Sequence, residues 1–494
     1  MQTAFSDEFI CDVADAISAV CASEEGLETC IASNLCTVLV QVLASAISDQ
    51  VRCSIANIIF DALFKTPPIR IEPGMCDCLV AALASAEEED ARISIASCIH
   101  SLAQKYSSVE APLFDTEACK TLLSVWALSR SNDATCSIVH SITNICVKDE
   151  SRGDCLIQYG ICQLAVLDFT SLKGHETRIA VTELMSIIAG SDLGVSGLVA
   201  AGATPVLIGA LKAADSDATM DAALKIDIIA CILSTVEAIN TCKEGSLSLI
   251  RAGACRALVD AMKSAMSDDM VGDVAGAMVN LTLYPEGLQS LMEVGAVDAL
   301  VTSLKFVRKD EDDSVKRFLS QTIGNIAEHP EGGVMFIRAD VCPALTAALQ
   351  LAHDDGAKTE IAIALGVLAA VPEEGMRAVL ACNGLSAIVV ALGSAQTAES
   401  IDDILKVISN IATNNDGRSA LIDVGACTVV VQIHTAMQQK SLRNLLYHST
   451  WSEDGISMVR KASADAIDAL AVDIKGQDAL SSAGWKPLKK PRKE

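Results

Sequence analysis

One cassette returns along this chain and restricts what the chain can become. It reads LVAAGATPVLIGAL from Leu198, LIRAGACRALVDAM from Leu249, LMEVGAVDALVTSL from Leu291 and LIDVGACTVVVQIH from Leu421, with a cut-down copy, LSSAGWKPL, from Leu480. In each copy one apolar-patterned helix stops at a small residue or Gly and the next begins at once. Self-similarity at a fixed period marks a solenoid, whose units bury their apolar faces only by stacking on neighbours. A solenoid presents an extended surface, so binding is expected before catalysis.

The residue in the Gly slot of each cassette serves as a ruler. Gly160, Gly202, Gly253, Gly295, Gly425 and Gly484 fill it directly, and Leu35, Met75, Ala118, Asp340 and Asn383 fill it in degenerate copies. Successive differences are 40, 43, 42, 42, 51, 42, 45, 43, 42 and 59 residues, so eight of ten share the period of a helical solenoid. Gly suits the slot because a sharp break between helices needs a backbone that a Cβ resists. After each cassette come an acidic turn and a longer amphipathic helix, as in DDSVKRFLSQTIGNIAE from Asp312, closed by turns such as HPEGG or NNDG. Each unit is therefore expected to hold a short, a medium and a long helix. The fold expectation is all-α: a right-handed superhelical solenoid of about eleven three-helix repeats over residues 1–485, degenerate in 1–150 and clearer in 151–485, followed by a basic tail, 486–494. The two long steps carry extra sequence around DSDATMDAALKID and QQKSLRNLLYHSTWSEDG. The second brings Tyr447 and Trp451 and reads either as an exposed binding loop or as a longer buried helix.

Composition narrows the partners. Hydrophobic residues make up 51% of the chain but aromatics only 3%, so Leu, Ile, Val, Ala and Cys must fill thin helical layers. The net charge is −26, although the tail KPLKKPRKE holds five basic residues. Such a surface repels phosphate backbones and anionic headgroups and attracts basic segments, besides aiding solubility. Neither nucleic acid nor membrane insertion is expected. Two uncharged stretches, Thr29–Ser48 and Ala378–Ala398, are long enough to span a bilayer, but both coincide with the cassette and read as buried solenoid helices. No lipidation motif stands at either end. The nineteen cysteines, among them Cys11, Cys53, Cys98, Cys146, Cys231 and Cys342, sit in apolar helical patterns without a signal peptide before them. That reads as reduced core thiols in a cytoplasmic protein. The basic tail admits nuclear entry as a second location, an intramolecular contact with the acidic surface, or a solvated end.

The long helices carry Asn at a corresponding place in five units: Asn57, Asn144, Asn280, Asn325 and Asn410, three of them fifteen residues before their ruler residue. An Asn amide both donates and accepts, so a row of them can hold an extended peptide by its main chain; the alternative is a local bond near the end of each helix. Seven residues before such a slot lies the same helix face two turns back, where Asp273, Glu360 and Asp403 stand, Val367 filling the slot of the Glu360 unit. Asp269 and Glu399 lie one turn further back and Glu328 extends the row, giving an acidic stripe or a set of ordinary solvated acids.

This layout resembles the armadillo-repeat family over nearly the whole chain. The resemblance implies that the third helices line a concave groove and that the Asn row acts as a ladder. Armadillo import adaptors pair each ladder Asn with a Trp four residues earlier; here Cys53, His140, Gly276, Gln321 and Lys406 occupy those places, and MQTAFSDEFICDVADA lacks their basic N-terminal segment. The nuclear-transport reading is weakened accordingly. The segment from Val51 to Leu83, VRCSIANIIFDALFKTPPIRIEPGMCDCLVAAL, is similar to the second unit of the small-GTPase GDP-dissociation stimulators. That likeness implies a chaperone of small GTPases with basic, often prenylated tails, which for some of them promotes GDP release. A cytoskeletal or ciliary scaffold is the competing reading.

No enzyme signature is present: no P-loop, no zinc-ligand spacing and no Gly-x-Ser-x-Gly. The seven His are isolated, His140 and His329 reading as capping or packing residues, and the Cys76/Cys78 pair is too tight for zinc. A monomer without catalytic residues, metal or cofactor is expected.

Overall fold

At the ruler positions the backbone turns left-handed. Gly160, Gly202, Gly253, Gly295, Gly425 and Gly484 have φ between 82° and 95°, and the degenerate Asp340 and Asn383 follow at 57° and 59°. In seven of these eight cassettes the hinge N–H donates three residues back, for example Gly202 to Val199 O at 3.0 Å and Asn383 to Leu380 O at 3.1 Å, which closes the preceding helix. The next helix starts one residue later, at a bend of 75° after Gly202, 84° after Asp340, 72° after Asn383 and 78° after Gly425. A residue with a Cβ is disfavoured in this region. Asp340→Gly should therefore raise stability by about 0.5–1 kcal/mol, read as a higher melting temperature. The ruler slips at its N-terminal end. Leu35 and Met75 begin their helices and Ala118 lies within the first turn of Thr116–Leu128, none of them with positive φ. A hinge one residue ahead of each helix would fall at 34, 74 and 115, outside the described residues.

The structure, a computed structural model, describes residues 7–21, 23, 35–46, 48–65, 75–105, 116–148, 150–171, 174–216, 221–265, 267–307, 313–439 and 451–486. Within them it is helical without strands, an all-α solenoid of stacked repeats. It divides into two compact units, Met1–Ala252 and Gly253–Glu494.

In the first unit, Asp7–Cys21 packs on Asp49–Lys65. Medium–long pairs follow, Leu35–Ser45 with Asp49–Lys65, Met75–Ser85 with Glu89–Lys105 and Thr116–Leu128 with Asn132–Lys148. Two full triplets close it: Glu150–Gln158, Ile161–Ser171, His175–Ile188, and Asp192–Ala200, Ala203–Ser216, Ala222–Ile239, with Lys243–Arg251 after them. The second unit opens with Ala254–Ser264 and Asp268–Leu281. Its triplets are Pro285–Glu293, Ala296–Phe306, Asp313–Ala327; Pro330–Arg338, Val341–Leu351, Asp355–Ala369; Gly375–Ala381, Gly384–Ser394, Ala398–Ala412; and Asn415–Asp423, Ala426–Gln438, Glu453–Leu470, ending with Ile474–Ser482. Within each unit every third helix packs on the third helix of the next repeat. Fully buried Ile and Leu such as Ile55, Ile95, Leu319 and Leu365 fill the layers, each stabilising by about 1.5–3 kcal/mol before entropy is counted.

A second glycine keeps the same period. Gly194, Gly245, Gly287, Gly332, Gly375, Gly417 and Gly476 each stand eight residues before their hinge. The first helix there runs against the end of the preceding third helix. A Cβ on Gly194 would lie 1.7 Å from Ile188 O, on Gly245 1.8 Å from Ile239 O and on Gly476 1.8 Å from Leu470 O.

Acids in the first turn of the third helices reach across to the next repeat. Asp313 Oδ2 accepts the N–H groups of His353 and Asp354 in the next repeat at 2.7 and 2.5 Å, while Oδ1 takes the Lys316 ammonium at 2.8 Å. Asp355 holds the N–H groups of Gln396 and Thr397 at 2.6 and 2.7 Å, with Lys358 beside it. Asp49 does the same for Glu87 and Glu88 with Arg52, and Glu89 for Arg130 with Arg92. Each is a staple from one repeat to the next.

Among the described residues no single helix is long and apolar enough to cross a membrane. The stretch Ala378–Ala398 breaks at Asn383, and Thr29–Ser48 lies partly outside the described residues. Of the two long steps, the first holds the 18-residue helix Ala222–Ile239 and the second the 18-residue helix Glu453–Leu470; Tyr447 lies outside the described residues. Trp451 is half-buried and its Nε1 donates to Gln396 O at 3.1 Å. Trp126, 1% exposed, donates to Asp168. The described cysteines are free thiols, and burial pushes Cys76 and Cys342 up to about 12.

Candidate binding groove

The third helices of the Gly253–Glu494 unit bring part of the predicted row together. A hollow of about 740 Å³ lies across the end of Asp313–Ala327, the middle of Asp355–Ala369 and the face of Ala398–Ala412. Its floor is apolar, with Ile363, Val367 and Val407, and its polar side chains are Glu328, Asp403, Lys406, Asn410 and Thr413. Gly366 lets the two later helices approach, since a Cβ there would stand 2.7 Å from Val407 Cγ1. A neighbouring hollow of about 450 Å³ shares Gly366 and Asn410 and adds Arg377 and Asp416. Glu328, Asp403 and Asn410 thus line one hollow, with Val367 in its floor.

Glu360 is half-buried one repeat earlier. Burial raises its pKa, Arg317 opposes the rise and Asp403 adds to it. Asp273 is raised by burial and then by the charge of Asp269. Asp269 itself lines a different hollow, of about 840 Å³, whose other walls are the ends of Ala254–Ser264 and Ala296–Phe306 with Asp268, Asp298 and Phe306. Glu399 is exposed in the first turn of its helix.

The Asn residues differ in what their amides meet. Asn325 Nδ2 donates to Thr282 Oγ1 of the preceding repeat at 2.8 Å, a bond between repeats. Asn280 is half-buried in the last turn of Asp268–Leu281, and Asn410 is exposed. In the Met1–Ala252 unit Asn57 is exposed with Nδ2 3.7 Å from Cys53 Sγ, and Asn144 Nδ2 lies 2.8 Å from His100 Nδ1. The His100 and His140 rings stand 5.8 Å apart, and burial, then the charge of His100, lowers the His140 pKa.

Sequence reasoning missed His100, which stands 43 residues after Asn57 and 44 before Asn144 and so fills the slot between them. It also missed Thr282 as the partner of Asn325. It missed Lys406 as counter-ion as well, for which the spacing to Asp402 and Asp403 was the available signal.

No family model and no curated protein matches the chain. Among solved structures, the crystal structure of an engineered protein is 19% identical with a TM-score of 0.63, covering 94% of this chain and 99% of its own. A designed armadillo repeat protein is 24% identical over 54% of this chain and 99% of its own, with a TM-score of 0.42. Another, solved in complex with the peptide (KR)4, is 22% identical over 54% of this chain and 99% of its own, again at 0.42. The first of these likenesses bears on the fold, an all-α solenoid.

Proposed function

We propose that the third-helix groove of the Gly253–Glu494 unit binds an extended, basic segment of a partner protein. The observation that carries this reading is the meeting of Glu328, Asp403 and Asn410 over an apolar floor. The carboxylates attract cationic side chains, the Asn amide suits a peptide main chain, and the apolar floor can take the aliphatic stems of the bound segment. The net charge of −26 favours the encounter.

Small GTPases with polybasic, often prenylated tails are the partner class to which the Val51–Leu83 resemblance points, with chaperoning or stimulated GDP release as the activity. A fluorescent tail peptide should bind with affinity that falls steeply as salt rises. Asn410→Ala should weaken it about fivefold, and Glu328→Gln with Asp403→Asn should flatten the salt dependence. Equal binding of a peptide with every Lys changed to Gln would sink the electrostatic reading. Unchanged GDP release from the cognate GTPase would leave binding but remove exchange.

A further inference from the structure

The groove already contains a cation of its own. The Lys406 ammonium lies 2.6 Å from Asp402 Oδ2 and 2.9 Å from Asp403 Oδ1. This lysine thus bridges two carboxylates. The Asp402 side chain is 4% exposed and that of Lys406 61%, so the lysine caps a deep carboxylate from the groove side. The corresponding places in the three preceding repeats hold Gly276, Gln321 and Ile363, so the cation is peculiar to this step.

We propose that Lys406 is a tethered competitor: a basic side chain entering the groove must displace its ammonium from Asp402 and Asp403, and the groove therefore selects arginine over lysine. This rests on the basic-segment reading above. An incoming ammonium exchanges like for like with one that costs no association entropy, and gains little. A guanidinium offers a planar fork of five donors that can engage both carboxylates at once, while the flexible lysine stem swings into solvent. The two aspartates also hold the Lys406 pKa above the ordinary lysine value through their hydrogen bonds, so the competitor stays charged.

The test uses the full chain and two labelled eight-residue peptides, one rich in Arg and one rich in Lys, read by fluorescence anisotropy. The wild-type protein should prefer the Arg peptide by roughly fivefold. Lys406→Met keeps the stem and removes the charge. It should tighten the Lys peptide by about tenfold and the Arg peptide less, so that the preference collapses. Lys406→Gln should act the same way and serves if the Met variant does not fold. Lys406→Arg should leave the Lys peptide no tighter than in the wild type. If both charge-removing variants melt like the wild type and bind the Lys peptide no better, the competitor role is overturned while the groove stands. If neither peptide binds wild type or variants, the groove reading falls and takes the competitor with it.

Discussion

Gly245→Ala is expected to cost several kcal/mol and to lower the melting temperature of the Met1–Ala252 unit more than any exposed substitution. The added Cβ would lie 1.8 Å from Ile239 O and 3.0 Å from Ile239 Cγ2. Neither atom is the loose end of a side chain: one is a helix-terminal carbonyl and the other a branched methyl inside the layer. Relief requires the first helix to move off the third, which opens the layer under Leu249, itself fully buried. Overpacking of about 1–3 kcal/mol is usual where side chains can yield, and here backbone must. Gly476→Ala should do the same in the second unit, with its Cβ 1.8 Å from Leu470 O. Gly209→Ala supplies the control. It sits exposed inside Ala203–Ser216 with nothing within 4 Å of a Cβ, so helix propensity alone should raise stability by up to about 1 kcal/mol. Thermal unfolding followed by circular dichroism separates the two cases, and a neutral Gly245→Ala would refute the close approach.

Asp313→Ala should destabilise the second unit by about 3 kcal/mol. The substitution removes the acceptor for two N–H groups of the next repeat and the carboxylate opposite Lys316, whose side chain is 3% exposed. The same staples predict sensitivity to acid. Burial pushes the Asp313 carboxyl up, but the bonds from Lys316 and from the Asp354 and His353 N–H groups outweigh it and hold the pKa below the usual value. Burial likewise opposes, and bonds from Glu88, Arg52 and Glu87 prevail, at Asp49. A depressed carboxylate contributes stability that is complete above its unfolded pKa of about 3.9 and disappears as pH falls through the folded one. The loss should therefore begin below about pH 4. Asp313→Asn should be less stable than wild type near neutrality and lose less on acidification. Parallel pH profiles for the two proteins would contradict the staple.

Both features explain how far the sequence could be read. The hinge was legible because a left-handed residue at the end of a helix selects Gly, and where it does not, as at Asp340 and Asn383, the flanking cassette still marks the place. The second glycine was equally periodic, yet its reason is a carbonyl from another helix, which no periodicity displays. The staples follow a simple pattern, an acid with Arg or Lys three residues on at the third-helix start, but their main bonds reach across the repeat boundary. The acidic positions appeared as caps because only the local half was visible. The same limit applies to the groove. Asp403 and Asn410 share one face by helix spacing and meet Glu328 in one hollow, whereas Asp269, on the same stripe by spacing, lines another because the neighbouring second helices form its walls. Asn325 reads like Asn410 in sequence, and only stacking sets Thr282 against its amide.

The positions of the tryptophans give the two units separate optical signatures. Trp126, enclosed in the first unit with its indole bonded to Asp168, should emit at short wavelength and shift red only when that unit opens. Trp451 and Trp485, both half-buried in the second unit, should emit further to the red and report on its last repeats. Fluorescence of a Trp126→Phe variant subtracted from that of the parent would follow the first unit alone, so one denaturation series can show which unit a given substitution has loosened.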